Sequence, residues 1–105
     1  MSQKINALKI DKKDNVAVAL ENLTVGDILY VEGNEEIAVL RNIPYGHKIA
    51  LTPIPKDDMV IKYGEVMGIA TEDIAMGDHV HVSNVRGLTD GDKRVQKEEV
   101  SYENV

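Results

Sequence analysis

Apolar residues in this chain come in short runs, and turn-forming residues separate nearly all of them. Val16-Ala17-Val18-Ala19-Leu20, Ile28-Leu29-Tyr30-Val31, Ile37-Ala38-Val39-Leu40, Ile49-Ala50-Leu51 and Met59-Val60-Ile61 are the clearest. Runs this short, rich in β-branched residues and bounded by Gly, Pro, Asn or Asp, predict strands rather than helices. No stretch of about 11 residues keeps apolar positions at i, i+3, i+4 and i+7 without a Gly or Pro interrupting it. The pattern predicts an all-β chain, with at most a short helical turn near Glu72-Asp73-Ile74.

The runs belong to an internal repeat. Leu23-Thr24-Val25-Gly26-Asp27-Ile28-Leu29-Tyr30-Val31 matches Ile43-Pro44-Tyr45-Gly46-His47-Lys48-Ile49-Ala50-Leu51 and Ile74-Ala75-Met76-Gly77-Asp78-His79-Val80-His81-Val82. Ile54-Pro55-Lys56-Asp57-Asp58-Met59-Val60 is a degenerate fourth copy, with Asp57 in place of Gly. Each copy reads as an apolar anchor, a tight turn with its Gly at positive φ, and an outgoing strand. The residue after the Gly is placed to accept a hydrogen bond from the turn backbone, which suits Asp27, Asp58 and Asp78. His47 departs from that structural role and is therefore a candidate for a functional one.

Length and composition narrow the classes. At 105 residues there is room for one domain with one modest core. That core must be aliphatic, because Trp and Phe are absent and Tyr occurs four times. The lack of Cys excludes disulfides, thiolate nucleophiles, iron–sulfur clusters and Cys-type zinc sites. A net charge of -6 opposes binding to a phosphate backbone, so no nucleic-acid partner is expected. No run approaches the roughly 18 apolar residues of a membrane span. Met1-Ser2-Gln3-Lys4 does not open a secretory signal, so a cytoplasmic location is expected. Residues 1–85 read as the domain and residues 86–105, rich in charge, as a polar tail or partner-docking arm.

Candidate chemistry centres on the three histidines, which titrate near neutrality without help. His79 and His81 lie two apart in an expected strand, so both face one side of it. Such a pair can place two imidazoles on one metal ion, with His47 or a carboxylate as a third ligand; the alternative is two ordinary half-exposed residues. The adjacent acids Glu35-Glu36, Asp57-Asp58, Glu72-Asp73 and Glu98-Glu99 read as solvated charge beside turns. Glu65 lies between Gly64 and Gly68, where the chain can approach something closely or form a β-bulge. There is no phosphate-binding G-x-x-x-x-G-K-[ST] loop and no G-x-S-x-G nucleophile elbow.

Several segments taken together resemble a known family. They are Asp14 to Leu20, Gly46-His47-Lys48-Ile49-Ala50-Leu51, Val60 to Ile74 around Lys62-Tyr63-Gly64-Glu65, and Gly77 to Val85. Over residues 7 to 85 the chain resembles the N-terminal SAF-type domain of the altronate/galactarate dehydratase family, whose fold is a β-clip. The resemblance implies a metal-dependent lyase that removes water from an aldonic or aldaric acid to give a 2-keto-3-deoxy acid, with iron(II) or manganese as the divalent ion. It marks His47 as the catalytic acid/base, Lys48, Lys62, Tyr63, Glu65 and Asn84 as substrate contacts, and His81 as a metal ligand. His81 and Asn84 match a V-H-V-H-N segment whose second His is Ser83 here. His79 stands where members often carry an aromatic residue and gains no role from the resemblance.

The implied partner is a separate large dehydratase subunit, which would complete the site around a small sugar acid. The alternative is a non-catalytic SAF-type module that binds carbohydrate or protein. An ice-binding face is disfavoured, because Thr24, Thr52 and Thr71 form no regular array. Self-association into a homo-oligomer is a second way of covering the edge strands of so small a β domain.

Overall fold

The computed structural model describes residues 4–33 and 36–89. Among the described residues nine strands follow one another: β1 (Ala7–Leu8), β2 (Val16–Ala19), β3 (Ile28–Leu29), β4 (Ile37–Ala38), β5 (Lys48–Ala50), β6 (Met59–Lys62), β7 (Glu65–Ala70), β8 (His79–Val80) and β9 (Val85–Arg86). They form a four-stranded sheet in the order β1-β2-β5-β8, a hairpin β3-β4, and a three-stranded sheet β6-β7-β9. Every pairing is antiparallel. The fold is all-β, with the short strands and tight turns of a β-clip. Among the described residues no helix is long and apolar enough to cross a membrane.

The four repeat copies build the framework. In each, the residue after the positive-φ position donates its N–H back across the turn: Asp27 to Thr24, His47 to Pro44, Asp58 to Pro55 and Asp78 to Ala75, all at 3.0 Å. Positive φ is confined to the third turn residue, Gly26, Gly46, Asp57 or Gly77, as type II turns require. The anchors then pair. Leu23 and Ile43 exchange two backbone hydrogen bonds at 2.8 Å, and Ile54 and Ile74 do the same. The residue before three of the four anchors caps the turn of the paired copy. Asn42 Oδ1 accepts from the Val25 N–H, Asn22 Oδ1 from the Tyr45 N–H, and Asp73 Oδ1 from the Lys56 N–H. Pro53 holds the fourth such position and has no side-chain acceptor.

The short helical turn expected near Glu72-Asp73-Ile74 does not form; the segment is a bend. Both backbone polar groups of Ile74 are committed to Ile54 across the chain, which leaves nothing for a local helical bond.

All four anchors are buried, and they divide between two aliphatic clusters. Leu23 and Ile43 pack with Leu29, Val39 and Ile49; Ile54 and Ile74 pack with Val16, Val60 and Val80. Strands β2 and β5 form the partition: Ala17, Ala19 and Ile49 face the first cluster, Val16 and Ala50 the second. This is why the β2 run lacks polar alternation, since a strand with core on both faces reads as continuously apolar. Each fully buried Leu or Ile contributes about 2 kcal/mol.

The expected domain boundary at residue 85 falls inside β9, where Arg86 pairs with Ile69. Gly68 makes that pairing fit, because a Cβ there would lie 2.5 Å from the Arg86 carbonyl oxygen. Residues 90–105 of the expected tail lie outside the described residues.

The glycines of the repeat are not equivalent. A Cβ on Gly26 meets nothing, whereas one on Gly77 would collide with the Ala38 carbonyl. In urea unfolding, Gly26→Ala is expected to cost about 1–2 kcal/mol from positive φ alone, and Gly77→Ala roughly 3 kcal/mol or more. Asp57→Gly is expected to stabilise the domain by about 1 kcal/mol. Equal costs at positions 26 and 77 would show that the Gly77 contact carries no weight.

Candidate functional site

The second repeat turn delivers His47 to the start of β5. Its N–H is bound to Pro44 and its carbonyl accepts the Ala19 N–H at 2.8 Å, so its backbone is fixed from both sides. Strand β8 lies beside β5 in a register that sets Lys48 opposite Val80 and Ile49 opposite His79. Carried one residue further, that register sets His47 opposite His81. The three rings gather as a result. Their centroids are 5.2 Å apart for His47 and His79, 5.5 Å for His47 and His81, and 4.8 Å for His79 and His81. His47 Nδ1 lies 3.0 Å from His79 Nε2, and one nitrogen from each ring fits within 4.8 Å of the others.

Asn84 holds this cluster from behind. Its Oδ1 accepts the His81 N–H at 2.8 Å, its Nδ2 donates to the His79 carbonyl at 2.7 Å, and its own N–H donates to the His81 carbonyl at 2.9 Å. The sequence marks Asn84 as a substrate contact. The structure instead buries it and commits its amide to backbone groups of the two histidines.

A cleft of about 450 Å³ opens beside the rings. His47, Lys48, His81 and Arg86 supply its polar lining, and Val60, Met67, Val80, Val82 and Val85 its apolar walls. Burial, and then the nearby Lys62 charge, hold the Lys48 ammonium below its usual pKa. Burial, followed by the His81 and His47 rings, likewise lowers the pKa of His79. The site is a half-apolar recess with a cationic, imidazole-rich wall. Such a recess can bind a small anion, exchange protons with it, or hold a metal ion through nitrogen.

Of the expected site residues, His47, Lys48 and His81 therefore meet at one cleft. Lys62 acts on it through charge, whereas Tyr63 and Glu65 do not line it. The Lys62-Tyr63-Gly64-Glu65 motif is the two-residue turn between β6 and β7: Lys62 pairs with Glu65, and Tyr63 and Gly64 have φ of 58° and 76°. Both central residues at positive φ make a type I′ turn. Lys62 Nζ sits 4.6 Å above the Tyr63 ring, and Glu65 is exposed. The register shift that accompanies a bulge comes just behind, where Met67 is the extra residue between the Ile61–Val66 and Val60–Gly68 pairs. Arg86 was hidden from sequence reasoning by its place at the start of the apparent tail, whereas the strand spacing already set His79 beside His81 with His47 as a possible third ligand, although the resemblance gave His79 no role.

The altronate/galactarate dehydratase SAF domain family matches residues 5–88. Altronate dehydratase of Bacillus subtilis is 43% identical over 79 residues, 75% of this chain and 16% of that protein. Altronate dehydratase of Escherichia coli is 46% identical over 87 residues, 82% of this chain and 17% of that protein. The alpha subunit of (2R)-sulfolactate sulfo-lyase from Chromohalobacter salexigens is 46% identical over 44 residues, 42% of this chain and 47% of that subunit. The matched region is thus about a sixth of either altronate dehydratase.

The Lys62–Glu65 turn depends on Asp14, whose carboxylate accepts the Gly64 N–H at 2.8 Å and the Asp11 N–H at 3.0 Å. Burial works against its charge, but the backbone donors, Gly64 first, outweigh it and hold the carboxyl below the usual aspartate range. Asp14 thus takes up its proton later in the folded chain than in the unfolded one. The stability it adds is present above about pH 4 and is lost as pH falls below that. Asp14→Asn is expected to cost about 1–2 kcal/mol at pH 7 and to flatten the acid limb of stability measured by urea unfolding across pH 2–6. An unchanged acid limb would remove Asp14 as its source.

Proposed function

The chain belongs to the altronate/galactarate dehydratase SAF domain family, and from that premise we propose that it is the small subunit of a sugar-acid dehydratase whose site a separate large subunit completes. The observation that carries this reading is the turn that places His47 and Lys48 side by side in a cleft also lined by His81. The relative named as an alpha subunit supports a role as a free-standing subunit.

Dehydration of an aldonic acid needs the proton α to the carboxylate removed, the resulting enediolate stabilised and the departing hydroxyl protonated. On this reading the Lys48 ammonium draws the substrate carboxylate into the cleft. The apolar walls of Val60 and Val80 strengthen that pairing by limiting water around it. His47, held by its backbone at the cleft mouth, moves the proton as general acid or base. Asn84 acts as a positioning residue for His81, and Lys62 adds positive charge behind Lys48.

A divalent ion belongs to the same reading. The imidazole wall fits it, since His81 and its neighbours offer nitrogen donors that suit iron(II) better than manganese, which favours oxygen ligands. When bound, such an ion would supply positive charge for the developing enediolate. The larger partner is expected to cover the cleft, where the lining residues Val82 and Met67 are 84% and 46% exposed. Apolar side chains this open around a polar recess suit burial under a second protein surface.

The isolated chain is expected to leave altronate and galactarate unchanged, and addition of the large subunit to start dehydration. His47→Ala should then lower kcat by about 10²–10⁴-fold. Val82→Asp should abolish co-elution of the two chains on size exclusion while leaving the circular dichroism of the small chain intact. Full turnover by the His47→Ala assembly would reduce the domain to a binding module, and a homo-oligomer that ignores the large chain would overturn the subunit reading.

A further inference from the structure

We propose that His47, His79 and His81 form a complete three-nitrogen site that captures one late first-row transition-metal ion on this chain alone. The proposal deepens the metal part of the reading above: His47 would bind through the Nδ1 that faces His79, which leaves its Nε2 for proton transfer, and His79 gains a role that neither the repeat nor the resemblance supplies.

The spacing is that of ligands around one centre. An imidazole nitrogen bonds zinc at about 2.0–2.1 Å, so a ring centroid stands about 3.2 Å from the ion. Two such rings at a tetrahedral angle have centroids about 5.2 Å apart. The observed separations of 4.8, 5.2 and 5.5 Å bracket that value. The nitrogens are close as well, with His47 Nδ1 and His79 Nε2 at 3.0 Å and a full set within 4.8 Å. The His47 and His81 rings lie nearly parallel, 7° apart, so one of them must turn about its side-chain bonds to bring the set onto one ion.

The scaffold is already fixed. The His47 backbone is bound at both its N–H and its carbonyl, and one Asn84 amide joins the His79 carbonyl to the His81 N–H. Among the described residues no carboxylate joins the three rings. Asp78, the acid next to them in sequence, accepts the His79 backbone N–H and pairs with Arg41 Nε at 2.7 Å. An all-imidazole set selects zinc, cobalt(II) or iron(II) over manganese and magnesium. His47 and His81 also line the cleft, so the coordination positions that three protein ligands leave vacant open toward it.

The test titrates cobalt(II) into the tag-free, metal-stripped full chain and needs no turnover. One ion per chain is expected, with the intense visible absorption of tetrahedral nitrogen-bound cobalt and displacement of the ion by zinc. Manganese(II) should bind about 100-fold more weakly or worse. His79→Gln should weaken cobalt binding at least about 10-fold while circular dichroism reports an unchanged fold. Should that variant fail to fold, paramagnetic shifts on all three histidine rings of the wild-type chain give the same answer. Binding that His79→Gln leaves intact, an octahedral spectrum, or unshifted His79 resonances would overturn the proposal. Cobalt binding as described, together with an assembled enzyme that turns over equally well without metal, would leave this site standing and remove the ion from the dehydratase reading.

Discussion

Two backbone bridges, Leu23 with Ile43 and Ile54 with Ile74, set the positions of nearly everything else in this domain. Each bridge joins the anchors of two repeat copies and seats a type II turn on either side. The anchor side chains then fill the two aliphatic clusters, which β2 and β5 separate. The arrangement suits a chain without Phe or Trp. Small Val, Ile, Leu and Ala side chains cannot fill one deep core as efficiently as rings do, so two shallow clusters share a common partition. His47 lies at the outgoing end of one of these bridged turns, and its location is a by-product of the same constraint.

Much of this was legible in the sequence because it is local. Short apolar runs gave the strands, and the repeat gave the turns, including the degenerate copy that holds Asp57 at a φ of 74°. What stayed hidden depends on partners far apart in the chain. Asn22 and Asn42 read as loop residues, yet each caps a turn about twenty residues away. Strand β1 is two residues long and declares itself only by its pairing with β2. Glycine at 68 suggested a close approach, but only the fold shows that β9 is what approaches.

The site shows the same division. His47 stood out as a departure from its own repeat, a signal carried entirely within the chain. His79 and His81 shared a face by the two-residue strand period, but their meeting with His47 rests on the β5–β8 register, which no local pattern encodes. The Lys62-Tyr63-Gly64-Glu65 motif illustrates the converse. Its spacing is that of a type I′ turn held by Asp14, so its residue pattern is accounted for by backbone geometry before any substrate is invoked. Charge tells a related story. A chain of net charge -6 nonetheless gathers Lys48, Lys62 and Arg86 in and around its cleft, so the attraction an anion feels there is set locally and against the overall sign.

The Asn84 amide has an evolutionary consequence. Because one planar group holds both the His79 carbonyl and the His81 N–H, the two imidazoles share a mount, and a shift in either backbone is passed to the other. A substitution at position 84 therefore releases both mounts at once, and its effect does not add independently to changes in the two rings it positions. Position 84 thus answers to two neighbours at once, whereas 79 and 81 can change side chain without breaking either bond.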